Sequence, residues 1–312
     1  MASTAFIFPG QGSQYAGMGK DLASNFPVAA QTFAEADEAL GFKLSQLCFE
    51  GPEEDLKLTT NTQPAILTAS VAVYRVLQAE TGLSADYLAG HSLGEYSALV
   101  AAGALQFADA VRTVRSRGAF MQEAVPVGVG AMAAVLGVEP EIIRDICAEA
   151  AAGEVVAPAN YNSPGQIVIA GHSGAVNRAI EIAKSRGFRK AMLLPVSAPF
   201  HCQLMMPAGD RLATVLASIP VDDLILPVVT NVEGTPNQDK SRVKELLVRQ
   251  VSAPVLWDAS VQTMVTAGVG KFVEIGPGKV LSGLVKRISK DVVTTNVEDT
   301  ATLKVLQQED GK

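Results

Sequence analysis

Residues Gly90-His91-Ser92-Leu93-Gly94 follow a short apolar stretch, Tyr87-Leu88-Ala89, and precede a run from Glu95 to Ala102 that reads as a helix stopped by Gly103. A strand, a tight turn and a helix are the setting in which a G-x-S-x-G pentapeptide carries chemistry. The two glycines permit a sharp, close-packed turn that lifts the serine Oγ out of the fold. The helix behind it aims its free N–H groups and the positive end of its dipole at any charge that develops there. Ser92 is therefore the candidate nucleophile, and the chain is expected to form an acyl-enzyme.

Outward from this turn, short apolar strands alternate with helices. Phe6-Ile7-Phe8 reads as a buried strand closed by Pro9-Gly10-Gln11-Gly12. Residues 28–40 have helical periodicity, with Phe33, Ala36 and Leu40 on one face, and 67–77 and 108–124 read as further helices. This alternation predicts an α/β fold with a parallel-sheet core of the α/β-hydrolase-like kind. Between 128 and 196 the rhythm changes. Strands are expected at 131–136, 155–160, 166–171 and 190–196, with helices at 140–151 and 174–186. The order β-α-β-β-α-β is that of a small ferredoxin-like subdomain. The expected division is thus a large catalytic subdomain, 1–127 and 197–312, interrupted by an insert, 128–196. Beyond the insert, helices are expected at 207–217, 240–251 and 279–288, with strands at 227–231 and 271–275. The last few residues are polar and expected to fray.

A length of 312 residues suits one large domain or two smaller ones, and 48% hydrophobic against 18% charged residues supplies an ample core. A net charge of −7 argues against nucleic acid as a partner, although a local basic patch could still dock an acidic one. Cys48, Cys147 and Cys202 are odd in number and form no C-x-x-C, which points to a reducing, cytoplasmic setting. The N-terminus has no basic region before an apolar one, so no signal peptide is expected. No apolar run approaches the ~18 residues that span a bilayer, so no membrane association is expected. No long apolar surface pattern asks for a second copy, and a monomer is the default expectation.

A serine nucleophile needs a base within reach. His91 adjoins Ser92, and consecutive side chains diverge at such a turn, so it is expected to pack beneath the elbow. His172 reads as a surface turn residue. His201, in Ser197-Ala198-Pro199-Phe200-His201-Cys202 at the return from the insert, is the candidate base by elimination among three histidines. The acids between serine and histidine, such as Asp145 and Glu154, fall inside the insert. A dyad is expected instead, with the histidine oriented by an amide or a backbone carbonyl in the Gln250 region. The histidines do not cluster as metal ligands, and neither metal nor redox cofactor is expected.

These residues resemble the malonyl-CoA:acyl carrier protein transacylases of bacterial-type fatty acid synthesis, and the acyltransferase domains of polyketide synthases. The resemblance rests on Phe8-Pro9-Gly10-Gln11-Gly12-Ser13-Gln14, Gly90-His91-Ser92-Leu93-Gly94-Glu95, Arg117-Gly118 with Met121, Ala159-Asn160-Tyr161-Asn162, Pro199-Phe200-His201 and Glu274-Ile275-Gly276-Pro277-Gly278. They stand in the family's order from residue 5 to about 290. The resemblance implies Ser92 as nucleophile, His201 as base held by the backbone carbonyl of Gln250, and the N–H groups of Gln11 and Leu93 as oxyanion hole. It places Arg117 in the pocket, where a guanidinium fork matches a free carboxylate, while Arg112 and Arg115 are expected on a solvated face. Met121, Asn160 and Phe200 would complete the substrate site, the aromatic Phe200 accompanying malonyl rather than methylmalonyl choice. Malonyl-CoA and acyl carrier protein are the implied partners. The acidic carrier would dock on a basic cluster, Lys184, Arg186, Arg189 and Lys190 or Lys286, Arg287 and Lys290.

Three other readings stand beside this one. A serine esterase or thioesterase shares Ser92 and His201 but lacks a use for Arg117. A dinucleotide-binding oxidoreductase is suggested by Gly10-x-Gly12 after a strand, but Tyr15 occupies the third glycine position of that fingerprint. A non-catalytic carrier-binding module would keep the fold without need of an intact Ser92, His201, Arg117 and Gln11.

Overall fold

The structure, a computed structural model, describes residues 3–196 and 198–310. Ser197, the first residue expected after the insert, and the last two residues, expected to fray, lie outside the described residues. Ten strands are described: β1 (Ser3–Phe8), β2 (Tyr87–Gly90), β3 (Gly130–Leu136), β4 (Val156–Ser163), β5 (Gln166–His172), β6 (Ala191–Leu193), β7 (Val228–Val229), β8 (Pro236–Asn237), β9 (Val269–Ile275) and β10 (Val293–Val297).

Six of them form one sheet in the order β10-β9-β1-β2-β7-β8. Its pairs are parallel except β7 with β8. β1 is central, with Phe8 opposite Gly90 on β2 and Ile7 opposite Glu274 on β9. Its side chains alternate in and out of two cores, as a period of two residues requires. Phe6 and Phe8 pack on the face that carries helices Thr59–Glu80 and Gly94–Ala101, while Ala5 and Ile7 join Trp257, Val261 and Phe272 on the other. A strand buried on both faces is what a parallel sheet covered by helices demands.

The other four strands form an antiparallel sheet in the order β4-β5-β3-β6. Helices Pro140–Ala151 and Ser173–Ser185 cover one face through Val135, Ile143, Ile169 and Ala179. From the other face Met132, Val168 and Ala170 join the main core. A bridge between Asn160 and Val255, reinforced by Tyr161 N–H to Val255 O at 2.9 Å, ties β4 to the larger sheet's surroundings.

Several elements depart from the sequence expectation. The helix expected at 67–77 runs from Thr59 to Glu80 and includes Pro64, a residue that disfavours helix interiors. The strand expected at 190–196 keeps only Ala191–Leu193. Leu194 still donates to Met132 O at 2.9 Å, but the chain then peels toward the cavity described below. The strand expected at 227–231 is only Val228–Val229. β10 carried no apolar alternation across Thr294, Thr295 and Asn296, yet pairs along β9. The C-terminal segment forms helix Thr300–Asp310, anchored by buried Leu303 and Leu306. Among the described residues no helix is long and apolar enough to cross a membrane.

Candidate active site

The turn after β2 is built by close approach. A Cβ on Gly94 would lie 2.1 Å from Phe8 O, and one on Gly10 would lie 2.4 Å from His91 O. Only glycine lets the end of β1 lie against the Ser92 elbow. Ser92 itself has φ 51, in the left-handed region. That conformation costs roughly 1–3 kcal/mol in a residue with a Cβ and persists where the surroundings over-determine it. Here they do. Ser92 N–H donates to Asn231 Oδ1 at 2.6 Å, Asn231 Nδ2 donates to Gly90 O at 2.7 Å, and Gln250 Nε2 donates to Ser92 O at 2.9 Å.

Ser92 Oγ lies 2.7 Å from His201 Nε2, and His201 Nδ1 lies 2.8 Å from Gln250 O. A carbonyl only accepts, so Nδ1 carries the hydrogen and Nε2 presents a lone pair to the serine hydroxyl. Burial, followed by the Arg117 charge, pushes the His201 imidazole down to about 3. It is therefore neutral near pH 7, ready to accept the Ser92 proton. The partners of the His201 ring are thus a hydroxyl and a backbone carbonyl.

Arg117 is buried. One of its terminal nitrogens donates to Gln63 Oε1 at 2.8 Å, and the other to Gln250 Oε1 at 2.8 Å and Ser92 Oγ at 3.2 Å. Both amide oxygens are neutral acceptors, and among the described residues Arg117 forms no ion pair. Burial pulls its pKa below the ordinary guanidinium value, while the nearby Tyr96 and Glu95 oppose that shift. Glu95, 2% exposed, is pushed up to about 7 by burial, against the hydrogen bonds from Gln250 and Asn231 and the Arg117 charge.

A cavity of about 260 Å³ opens over these groups. Ser92, His201 and Arg117 border it, as do Gln11 and Leu93. Met121, Asn160 and Phe200 line it too, so every sequence-predicted site residue except Gln250 faces one space. Gln250 stands behind it, bonded to His201, Arg117 and Ser92. Val168 of β5 and Leu194, just past β6, line the cavity together with Leu281 and Leu284 of helix Val280–Ile288. His91 packs under the elbow as expected, its Nε2 2.9 Å from Asn162 Oδ1 and its ring tilted 5.7 Å from that of Trp257. His172 lies at the end of β5, where its Nδ1 accepts the Val155 N–H at 2.9 Å.

One expectation for the arginines is corrected. Arg112 is exposed and pairs with Asp109, but Arg115 is half-buried. It donates to Asn61 Oδ1 at 2.8 Å and lies 4.5 Å over the Phe42 ring. The basic clusters are partly engaged within the chain: Lys184 pairs with Glu181, Arg186 with Glu149, and Arg287 donates to Gln166 Oε1. Sequence reasoning missed Gln63, Asn231 and Glu95. Only Glu95 left a signal, as the residue that closes the quoted motif around Ser92. Asn231 reaches Ser92 from 139 residues away, and no local pattern marks it. Among the described residues no group of three or more His, Cys, Asp or Glu side chains is placed to hold a metal ion.

Comparison with known proteins agrees with this geometry. The family description "Acyl transferase domain" matches residues 5–312. The chain is 51% identical over 303 residues to the malonyl CoA-acyl carrier protein transacylase of Escherichia coli (strain K12), covering 97% of this chain and 98% of that protein. The crystal structure of an acyl carrier protein S-malonyltransferase from Vibrio cholerae is 50% identical, with a TM-score of 0.96, covering 98% of this chain and 100% of that one. A malonyl-transacylase solved in complex with its type II polyketide acyl-carrier protein is 49% identical, with a TM-score of 0.96, covering 99% of this chain and 100% of that one. On residue geometry, overall fold and sequence alike, this chain belongs to the acyl transferase domain family and, within it, to the malonyl CoA-acyl carrier protein transacylases.

Proposed function

We propose that this protein moves a malonyl group from malonyl-CoA to the phosphopantetheine thiol of acyl carrier protein, supplying malonyl carrier protein for fatty acid elongation. The observation that carries this reading is Arg117, a buried cation that forms no ion pair among the described residues and is in contact with the Ser92 Oγ. Malonyl-CoA brings a free carboxylate to that fork; acetyl-CoA brings none. A site built for the pairing disfavours a neutral acyl group, because the arginine is then left with a weaker set of bonds.

Ser92 Oγ attacks the thioester carbon as His201 Nε2 takes its proton. The N–H groups of Gln11 and Leu93 stabilise the oxyanion, each such donor being worth roughly 3 kcal/mol in the transition state. The tetrahedral species collapses, the C–S bond breaks, and His201 returns the proton to the leaving CoA sulfur. Malonyl-Ser92 remains. The carrier thiol then attacks the ester, giving its proton to His201, which passes it back to the serine oxygen. Met121, Asn160 and Phe200 shape the acyl pocket, and Gln250 orients His201. Neither a metal nor a redox cofactor enters these steps.

The architecture suits this chemistry. The parallel sheet with its strand–elbow–helix is hydrolase-like, and the order β-α-β-β-α-β with strand order β4-β5-β3-β6 supports a ferredoxin-like reading of the smaller sheet. Residues 1–127 with 197–312, and 128–196, would then be the two subdomains flanking the cavity. The two basic clusters are proposed as docking sites for the acidic carrier. The protein is read as a cytoplasmic monomer with no nucleic-acid or membrane partner.

Intact-protein mass spectrometry after brief mixing with malonyl-CoA tests the reading. The expected result is a malonyl adduct that is weak with acetyl-CoA, absent in Ser92→Ala and discharged by carrier protein. Rapid release of free malonate without an acceptor would favour hydrolysis instead. No adduct from folded protein would refute the nucleophile assignment.

A further inference from the structure

Ser92 holds its left-handed conformation because the peptide groups on both sides of it are pinned. Asn231 grips the preceding side, accepting the Ser92 N–H with Oδ1 and donating to Gly90 O with Nδ2. Gln250 grips the following side, donating to Ser92 O with Nε2. Both grips lead back to one atom. Glu95 Oε2 accepts the Asn231 backbone N–H at 3.0 Å and the second Gln250 Nε2 hydrogen at 2.8 Å. An amide nitrogen carries two hydrogens, so Gln250 serves Ser92 and Glu95 together.

The same contact sets the sense of the Gln250 carboxamide. With its nitrogen toward Glu95, its oxygen faces the Arg117 nitrogen at 2.8 Å. A flipped amide would present N–H groups to a cation and to nothing that accepts. Glu95 itself does not border the cavity and is almost wholly buried, on the first turn of helix Gly94–Ala101. It touches neither the reacting oxygen nor the space a substrate would fill.

We infer that Glu95 is a positioning residue for Ser92: its Oε2 anchors Asn231 and Gln250, the two side chains that fix the nucleophile's flanking peptide groups. The inference rests on Ser92 being the nucleophile of the proposed transfer. Its essential property is an acceptor oxygen at that place, which both the ionised and the neutral acid provide.

The test compares full-length wild type with Glu95→Ala, Glu95→Gln and Asn231→Ala. Ser92 is labelled by a fluorophosphonate, malonyl loading is followed in parallel, and melting temperature is recorded. Glu95→Ala is expected to label at least about tenfold slower per folded molecule, since the elbow is no longer held at the reactive geometry. Glu95→Gln keeps an acceptor oxygen and is expected to restore labelling to within about threefold of wild type. A Glu95→Ala protein that melts lower yet labels at the wild-type rate has lost only stability, and overturns the inference. Glu95→Gln as slow as Glu95→Ala overturns it too, because charge rather than the acceptor would then matter. If Glu95→Ala does not fold, Asn231→Ala decides: slowing by about tenfold is expected, and unaltered labelling refutes the clamp. The fluorophosphonate needs no acyl-CoA, so wild type that labels without loading malonyl defeats the transfer reading and leaves the Glu95 test standing.

Discussion

Replacing Arg117 by alanine is expected to cut malonyl loading of Ser92 by about 30–100-fold relative to acetyl loading. The magnitude follows from the partners of the guanidinium. Its terminal nitrogens donate to Gln63 Oε1, Gln250 Oε1 and Ser92 Oγ, all uncharged. A malonyl carboxylate offers two charge-assisted bonds, at roughly 1.5–3 kcal/mol each. They displace bonds to uncharged acceptors worth roughly 0.5–1.5 kcal/mol each, which leaves a net gain of about 2–3 kcal/mol. At about 1.4 kcal/mol per factor of ten, that gain is about one and a half to two orders of magnitude. Acetyl-CoA has no carboxylate and loses none of it. Removing Arg117 also frees Gln250 Oε1, which disturbs the nucleophile for both substrates alike, so the ratio is the informative quantity. The assay is single-turnover loading from each acyl-CoA, quenched and read by intact mass. Arg117→Lys keeps the charge but not the fork, and is expected to fall between the two proteins. Equal losses for malonyl and acetyl would show that Arg117 serves the fold or the nucleophile only, and the carboxylate-clamp reasoning would fail.

Burial holds His201 neutral, so the loading rate is expected to show no inflection near the ordinary imidazole pKa of about 6.5, measured with Glu95→Gln as the background to silence its own titration; an inflection there would mean the ring is solvated. The same shift has a stability consequence of fixed sign. The unfolded ring protonates below about 6.5, while the folded ring resists down to about 3, so stability present above that window is lost as pH falls through it. His201→Gln is expected to flatten that acid slope in thermal melts. Gly94→Ala would put a Cβ 2.1 Å from Phe8 O, backbone against backbone; the expected outcome is a cost of about 1–3 kcal/mol in denaturant unfolding with slower loading, and a variant as stable and active as wild type would refute the close-approach argument. Phe200 lines the cavity and is 8% exposed. Phe200→Ala is expected to raise loading from methylmalonyl-CoA relative to malonyl-CoA, and an unchanged ratio would remove Phe200 from the specificity account.

The sequence by itself determined the features whose physics is local. Turn chemistry around Gly90 and Gly94 announced the elbow, and short apolar runs and helical periodicity announced β1, the strands between 130 and 172 and the longer helices. Elimination among three histidines, together with the acids falling inside the insert, pointed to an Ser92–His201 dyad. Family resemblance then supplied Arg117 and Gln11, and narrowed the Gln250 region to that residue's backbone carbonyl. Elements with no pattern of their own stayed hidden: β10 is polar, and it exists because β9 offers it a hydrogen-bonding edge. Arg115 read as a solvated residue because Phe42 and Asn61, which cover it, are far away in the chain.

Tertiary structure alone decided what holds the nucleophile. Asn231 lies 139 residues from Ser92, and Gln250 lies 158 residues from it. Buried amides and carboxylates must be matched with partners wherever the fold brings them together. Their bonds depend on which strand ends and helix starts converge, not on neighbours in sequence. Glu95 was in plain view beside Ser92, yet its partners come from one distant loop and one distant helix. A motif can name the reacting atom, but the packing of separate elements fixes the direction in which that atom points.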